Sequence, residues 1–323
     1  MELPERLRDA IEAELNIQSS KQLAKLTADL SQRYREDPSD GRTFIRSQAD
    51  VEAYAAFRMP ATFGAAGAVL DQVQEVLPAW QPQTLLDIGA GPGTVMWAAA
   101  SRFPSLKAVD LVEREADMIR FGRRLAGYAE NSLVKQAKWI QGDIRDQELK
   151  PHDLVTAAYV LGELDSGARA DFVSKLWEAA NGTLVIIEPG TTQGFARIRE
   201  AREQLIALGA QIAAPCPHQE ECPITGSNWC HFSQRVARSS LHRQIKSGEL
   251  GYEDEKFSYV AAARFPGRAV YGRILRHPQV RKGHIIFEVC GPDGLETKII
   301  SRRQKDLYRL AKELQWGSVF PDE

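Results

Sequence analysis

No stretch of the 323 residues stays apolar over the ~20 positions that a membrane-crossing helix needs, so no bilayer span is expected. The opening Met1-Glu2-Leu3-Pro4-Glu5-Arg6 has neither the basic-then-apolar plan of a signal peptide nor the acid-poor, Arg-rich plan of a transit segment, and the cytoplasm is the expected compartment. Cysteine is scarce, at four residues, and without a secretory signal these are not expected to form a disulfide framework. Net charge is small too: 41 Lys and Arg against 43 Asp and Glu leave -2, which excludes a uniformly basic nucleic-acid binder. That average hides a local asymmetry. The span from Arg264 to Lys312 holds twelve Lys and Arg against four Asp and Glu, a tail suited to a polyanion.

The chain has room for one large domain or a few smaller ones, each with a real core. Leu3, Leu7, Ile11 and Leu15 recur at helical spacing behind Pro4, and Leu23, Leu26 and Leu30 do the same. After the break at Pro38-Ser39-Asp40-Gly41, two further helices are expected over 49–57 and 65–70. Residues 1–78 thus read as an N-terminal helical cap, joined to the glycine-loop domain through the stretch from Pro78 to Pro82.

The run Leu85-Leu86-Asp87-Ile88-Gly89-Ala90-Gly91-Pro92-Gly93-Thr94, followed by Val95-Met96-Trp97-Ala98-Ala99-Ala100, predicts a buried strand, a tight turn and a helix. Glycine, lacking Cβ, lets backbone N–H groups and a helix N-terminus approach a ligand. The spacing is Gly-x-Gly-x-Gly after an acid, not the Gly-x-Gly-x-x-Gly that cradles a dinucleotide pyrophosphate. It resembles motif I of class I S-adenosylmethionine (SAM) methyltransferases, whose loop holds the methionine end of the cofactor. Asp87, Gly89, Ala90, Gly91 and Gly93 are the candidate contacts, with a plain strand-to-helix turn as the alternative.

From here strands and helices alternate as in a doubly wound sheet. The second strand, 108–113, ends in an acid about twenty residues beyond the loop, where such folds place the ribose partner; Glu113 is the candidate and Asp110 its competitor. The third ends at Asp143 and Ile144, where SAM enzymes commonly meet the adenine. Strands over 153–161 and 183–190 complete five, and the expected fold is α/β, a Rossmann-like class I SAM-dependent methyltransferase domain over residues 79–265.

Ligands of open α/β sheets bind at the carboxyl ends of the strands, so chemistry belongs near Tyr159-Val160-Leu161-Gly162-Glu163-Leu164. The Asp or Asn followed by Pro-Pro and an aromatic that amino-group methyltransferases carry there is absent. No cysteine lies near the fourth or fifth strand to act as the nucleophile of a cytosine-C5 enzyme. Glu163 or Tyr159 remains as a general base or anchor, against a helix-start residue and a packed aromatic. No catalytic residue is assigned.

Cys216 lies in Ala-Pro-Cys-Pro-His, Cys222 precedes Pro223, and Cys230 sits in Trp-Cys-His-Phe. Prolines make rigid turns that aim thiolates at one point, a geometry that suits a metal centre. Neither Cys-x5-Cys nor Cys-x7-Cys follows the close pairing of structural zinc sites. Cys290 ends an expected strand over 283–289 and would have to fold back to join the other three. Four thiolates with repeated Cys-Pro favour a [4Fe–4S] cluster, with zinc and packed free thiols as alternatives, and His218 and His231 stand in as ligands if Cys290 does not reach. This cysteine-rich insertion covers about 209–248, and residues 266–323 are expected to form a basic, β-containing module carrying the fourth cysteine. Arg235, Arg238, Arg243 and Lys246 are expected on a helix, followed by a strand over 257–263. Arg268, Arg273, Arg276, Arg281, Lys282, Arg302, Arg303 and Lys305, if several pack against the cofactor domain, would face RNA phosphates, with a plain solvated face as the alternative.

Taken together, Arg58-Met59-Pro60-Ala61-Thr62, the glycine loop with Trp97-Ala98, Val160-Leu161-Gly162-Glu163-Leu164, Glu188-Pro189-Gly190-Thr191, the three cysteine segments, Gln234-Arg235-Val236 and the run from Tyr252 to Tyr259 resemble the methyltransferase-like proteins of the mitochondrial small ribosomal subunit and their bacterial relatives. The resemblance covers most of the chain from about residue 50. It implies a SAM-binding fold, a [4Fe–4S] cluster on Cys216, Cys222, Cys230 and Cys290, and a role on small-subunit rRNA during assembly, with a monomer expected off the ribosome. Mitochondrial members carry a transit peptide, so its absence here points to a bacterial cytoplasm.

Overall fold

Short apolar runs bounded by turn residues form a parallel sheet of β1 (Thr84–Ile88), β2 (Ala108–Glu113), β3 (Lys138–Gln141), β4 (His152–Ala158) and β5 (Ala180–Pro189) in this computed structural model, which describes residues 1–15, 20–35, 45–237 and 251–321. The strand order is 3-2-1-4-5. Leu85 of β1 stands opposite Val109 on one side and Leu154 on the other. The order reverses at β1, so the crevice beyond the carboxyl ends of β1 and β4 is the topological switch point where such sheets take ligands. An antiparallel extension follows. β8 (Tyr252–Ala263) lies along β5, while its far edge is shared by β6 (Gln211–Ala214) and β7 (Phe232–Ala237). This is the Rossmann-like, class I methyltransferase type of α/β fold expected from the sequence.

Helices α1 (Glu5–Glu14), α2 (Ser20–Arg35), α3 (Gln48–Val76), α4 (Thr94–Ala100), α5 (Ala116–Gly127), α6 (Ser132–Lys135), α7 (Ser166–Ala179) and α8 (Thr192–Ala207) pack around that sheet. A 3₁₀ turn, Leu161–Glu163, follows β4. The two helices expected at 49–57 and 65–70 are one continuous helix of 29 residues with Pro60 inside it. Proline removes one N–H and crowds the preceding turn, but α3 is buried almost all round, and tertiary packing outweighs local propensity. Its glycines mark close approaches. A Cβ on Gly64 would lie 2.6 Å from Val236 Cγ2 of β7.

Arg235 is not helical either: it belongs to β7, opposite Asp254 of β8, and forms a cross-strand ion pair with it at 3.0 Å. Antiparallel pairing along the open edge of β8 overrides the helical reading. Arg238, Arg243 and Lys246 lie outside the described residues. Beyond β8 the basic tail folds as a second sheet of β9 (Gly272–Ile274), β10 (Gln279–Arg281), β11 (His284–Gly291), β12 (Gly294–Ser301) and β13 (Val319–Phe320), with α9 (Lys305–Ala311) against it. Ile274, Ile285, Phe287, Val289, Ile300 and Phe320 form its own core. No helix among the described residues is long and apolar enough to cross a membrane.

Candidate functional site

The turn after β1 takes its shape from three glycines in the left-handed region, Gly89, Gly91 and Gly93, with φ of 66°, 54° and 83°. That backbone favours glycine. The N–H groups of Gly89 and Ala90 donate to Val112 O at 2.9 and 3.1 Å, and that of Gly91 donates to Glu113 Oε2 at 2.7 Å. Glu113 Oε1 accepts from Glu115 N at 2.8 Å, so this buried carboxylate at the end of β2 braces the loop. Burial pushes its pKa up. Asp110 instead sits by Lys138 (3.6 Å) and His152 (3.7 Å), lining a different pocket, so Glu113 is the acid that reaches the loop.

Asp87 is 1% exposed. Its Oδ1 accepts from Thr156 Oγ1 at 2.7 Å while Oδ2 has no partner, and burial raises the carboxyl to about 7. Thr94 Oγ1, at the N-terminus of α4, is likewise buried without a partner. Orphaned buried polar atoms are rare. Two of them beside three left-handed glycines fit a ligand bearing an ammonium and a carboxylate, as the methionine end of SAM does. Asp143 is held by Arg145, whose side chain approaches to 2.6 Å and whose N–H donates to Oδ1 at 2.9 Å, lowering its pKa to about 2. Ile144 packs partly buried against the core under β4 and β5. Trp139 of β3, which carries no sequence signal for the loop, closes its side: a Cβ on Gly93 would lie 3.1 Å from its ring.

At the end of β4 Tyr159 holds φ 62°, a left-handed backbone that is costly for a side chain of this size. Its hydroxyl donates to Glu255 Oε1 of β8 at 3.0 Å, and Arg58 of α3 grips the same carboxylate with both terminal nitrogens at 3.1 and 3.3 Å. Burial, and then the charge of Glu113, raise Glu163 to about 7. Glu188, also raised to about 7 by burial, accepts from Leu161 N at 2.9 Å and meets Arg197 at 3.4 Å, pinning the turn. Arg58 and Glu255 have only one hint in the sequence, their place in two of the segments that carry the resemblance.

Cys216, Cys222, Cys230 and Cys290 line one cavity of about 40 Å³, with Cys290 brought in by β11. All four are free thiols, and burial raises Cys216, Cys230 and Cys290, the last to about 12. Among the described residues no three His, Cys, Asp or Glu groups converge to hold a metal ion. A tetrahedral zinc site would draw its sulfurs to about 3.8 Å of one another, so the zinc alternative finds no support in this geometry. Four thiols lining one cavity are, by their chemistry, the donor set that an iron–sulfur group takes. His218 stays close, with Nε2 3.5 Å from Cys290 Sγ. His231 does not line the cavity; it stacks on Trp229 at 4.9 Å and meets Trp316 edge-on.

Several arginines expected to face RNA are used internally. Arg264 donates to Trp177 O and Ala180 O, Arg268 pairs with Glu75, Arg276 holds Asn228 and Trp229 O, and Arg273 is 1% exposed. Arg281, Lys282, Arg302, Arg303 and Lys305 are exposed. The Arg302 N–H donates to Gly283 O at 2.9 Å, which puts the β10–β11 turn beside the segment after β12 and gathers these cations at one end of the second sheet.

A model of the family described as mitochondrial small ribosomal subunit Rsm22 matches residues 48–321. The chain is 32% identical to human ribosome assembly protein METTL17, mitochondrial, over 83% of this chain and 62% of that protein. With Rsm22-cox11 tandem protein 2, mitochondrial, of Schizosaccharomyces pombe it shares 28% identity, over 88% of this chain and 45% of that one. It thus spans less than two thirds of the length of these curated relatives. Magnesium protoporphyrin IX methyltransferase from Synechocystis with bound SAM is 14% identical over 78% of this chain and the whole of that one, with a TM-score of 0.39. The fold assignment rests on strand order and not on that distant likeness. The family match runs from the first residue of α3 to the end of β13 and takes in the glycine loop and all four cysteines, and the chain belongs to the mitochondrial small ribosomal subunit Rsm22 family.

Proposed function

We propose that this chain is a SAM-binding, methyltransferase-like ribosome-assembly protein that acts on small-subunit rRNA and carries a [4Fe–4S] cluster on Cys216, Cys222, Cys230 and Cys290. The observation that carries the SAM reading is the glycine loop with its two buried orphans, Asp87 Oδ2 and Thr94 Oγ1. In this reading Asp87 and the turn from Gly89 to Gly93 hold the methionine end, Glu113 the ribose, and Asp143 with Ile144 the adenine. Supporting the ribosomal part are the family's description and the human relative, which is named a ribosome assembly protein. Bound SAM would supply an electrophilic methyl group, while the cluster would fasten the cysteine segment to the second sheet.

A second reading, SAM binding without turnover, is favoured by the Arg58–Glu255–Tyr159 lock, which occupies the corner where an acceptor would be presented. Mapping methylation of small-subunit rRNA in cells with and without the gene separates the two. One mark lost on deletion is the expected result for an enzyme. An unchanged map with immature small subunits assigns the chain to assembly alone. Calorimetry on the folded protein tests the shared premise, and absence of any heat with SAM removes both.

A further inference from the structure

Among the described residues, two of the most buried cations line the cysteine cavity: Arg202 of α8, 4% exposed, and Arg273 of β9, 1% exposed. A buried guanidinium is costly unless it is paired and its N–H groups are satisfied. Both are satisfied only in part. Arg202 donates to His218 O at 3.0 Å and Glu220 O at 2.7 Å, and its Nε has no partner. Arg273 donates to Pro215 O and Gly317 O, each at 3.0 Å, and its Nη2 has none. For counter-charge Arg273 has Glu75 at 3.7 Å, a residue 40% exposed, and no carboxylate among the described residues lies within ion-pairing reach of Arg202. These two buried charges and two orphaned donors therefore border the cavity beside its four thiols, Ser258 and Tyr259, while a third lining cation, Arg199, is exposed and pairs with Glu203 at 3.8 Å.

We propose that Arg202 and Arg273 are the built-in counter-charge of the anionic group held by the four cysteines and set its reduction potential. The proposal rests on the cluster reading above. Four thiolates outweigh the positive charge of an iron–sulfur core, and one added electron makes the whole more negative still. Net charge and hydrogen bonds to sulfur are among the levers that set such potentials. Two fixed cations stabilise the reduced form more than the oxidised one, so they raise the potential, and the group in turn supplies the partners that the arginines lack. Three of the four carbonyls they hold, those of Pro215, His218 and Glu220, flank Cys216 and Cys222, so a purely bracing role predicts altered stability with an unmoved potential.

The test uses the full chain purified without oxygen, with iron and sulfide content measured first and one-electron reduction by dithionite then followed by electron paramagnetic resonance. Arg202→Gln and Arg273→Gln should shift the midpoint to more negative potential, the double variant further than either single one, while Arg202→Lys and Arg273→Lys stay nearer the wild type. Where a glutamine variant folds by circular dichroism but loads no iron, loading of its lysine counterpart supports the counter-charge, and equal failure of both overturns it. Loaded glutamine variants with the wild-type midpoint also overturn it, as do lysine variants shifted as far as glutamine ones. Wild-type protein free of iron and sulfide instead sinks the underlying cluster reading before any variant is made.

Discussion

In the proposed reading, Asp87 joins stability to ligand binding. Its carboxyl is raised to about 7 by burial, and Glu163 and Glu188 rise to about 7 for the same reason. A carboxyl with a raised folded-state pKa keeps a proton that the unfolded chain has released. Its contribution is fully present below the unfolded value near pH 4 and is lost as pH rises through about 7. For Asp87 the difference is worth ~4 kcal/mol. Asp87→Asn should therefore flatten the fall of stability between about pH 4 and 7, measured by urea denaturation, and weaken SAM roughly tenfold or more by calorimetry, as expected for a lost charge-assisted hydrogen bond. An unaltered pH slope would place that proton elsewhere. The loop is legible in the sequence because a left-handed turn demands glycine and leaves a pattern. Arg202 leaves almost none: it falls in register with Phe195, Ile198, Ala201 and Leu205 on the buried face of α8, where a charge stands out only once the face is known.

At the scale of elements, α3 is where local signals mislead. The gap between the helices expected over 49–57 and 65–70 holds Pro60 and Gly64, yet Gly64 is there because another group comes close, Val236 at 2.6 Å from where a Gly64 Cβ would lie. Gly64→Ala should destabilise the protein by about 1–3 kcal/mol through overpacking. Val236→Ala on the same chain should return part of that loss, with a coupling of about 1 kcal/mol in a double-mutant cycle; strict additivity would mean the two groups do not meet. Strands β1 to β5 are legible because buried parallel strands are short, apolar and bounded by turn residues. β7 is not, since its pairing is decided by the open edge of β8 and not by its own pattern. A helix contact can be checked likewise. A Cβ on Gly122 of α5 would lie 2.2 Å from the Trp139 ring and 2.9 Å from Pro92 O, so Gly122→Ala should lower the melting temperature by several degrees and disturb the loop that carries Pro92.

For the whole molecule, a net charge of -2 conceals a basic end on the second sheet. Arg302→Glu with Arg303→Glu should weaken binding to small-subunit rRNA uniformly across sequences and make the salt dependence of log K shallower by roughly one to two, as two phosphate contacts are lost. Filter binding across a salt series checks this, and an unchanged slope would move the RNA surface to another face. That the tail is basic is legible from composition. Which cations are free is not, because Arg264, Arg268, Arg273 and Arg276 are spent on carbonyls and carboxylates that only the folded chain brings near.

The fourth wall of the cysteine cavity also sets a schedule. Cys290 follows Cys230 by 60 residues (290 − 230) and arrives on β11, after β8, β9 and β10. A chain leaving the ribosome at roughly 5–20 residues per second exposes three thiols for about 3–12 s before the fourth emerges. A message truncated anywhere before β11 yields a cavity that never closes. Under the proposed cluster, occupancy of the finished site would record that translation of the second sheet ran at least as far as β11.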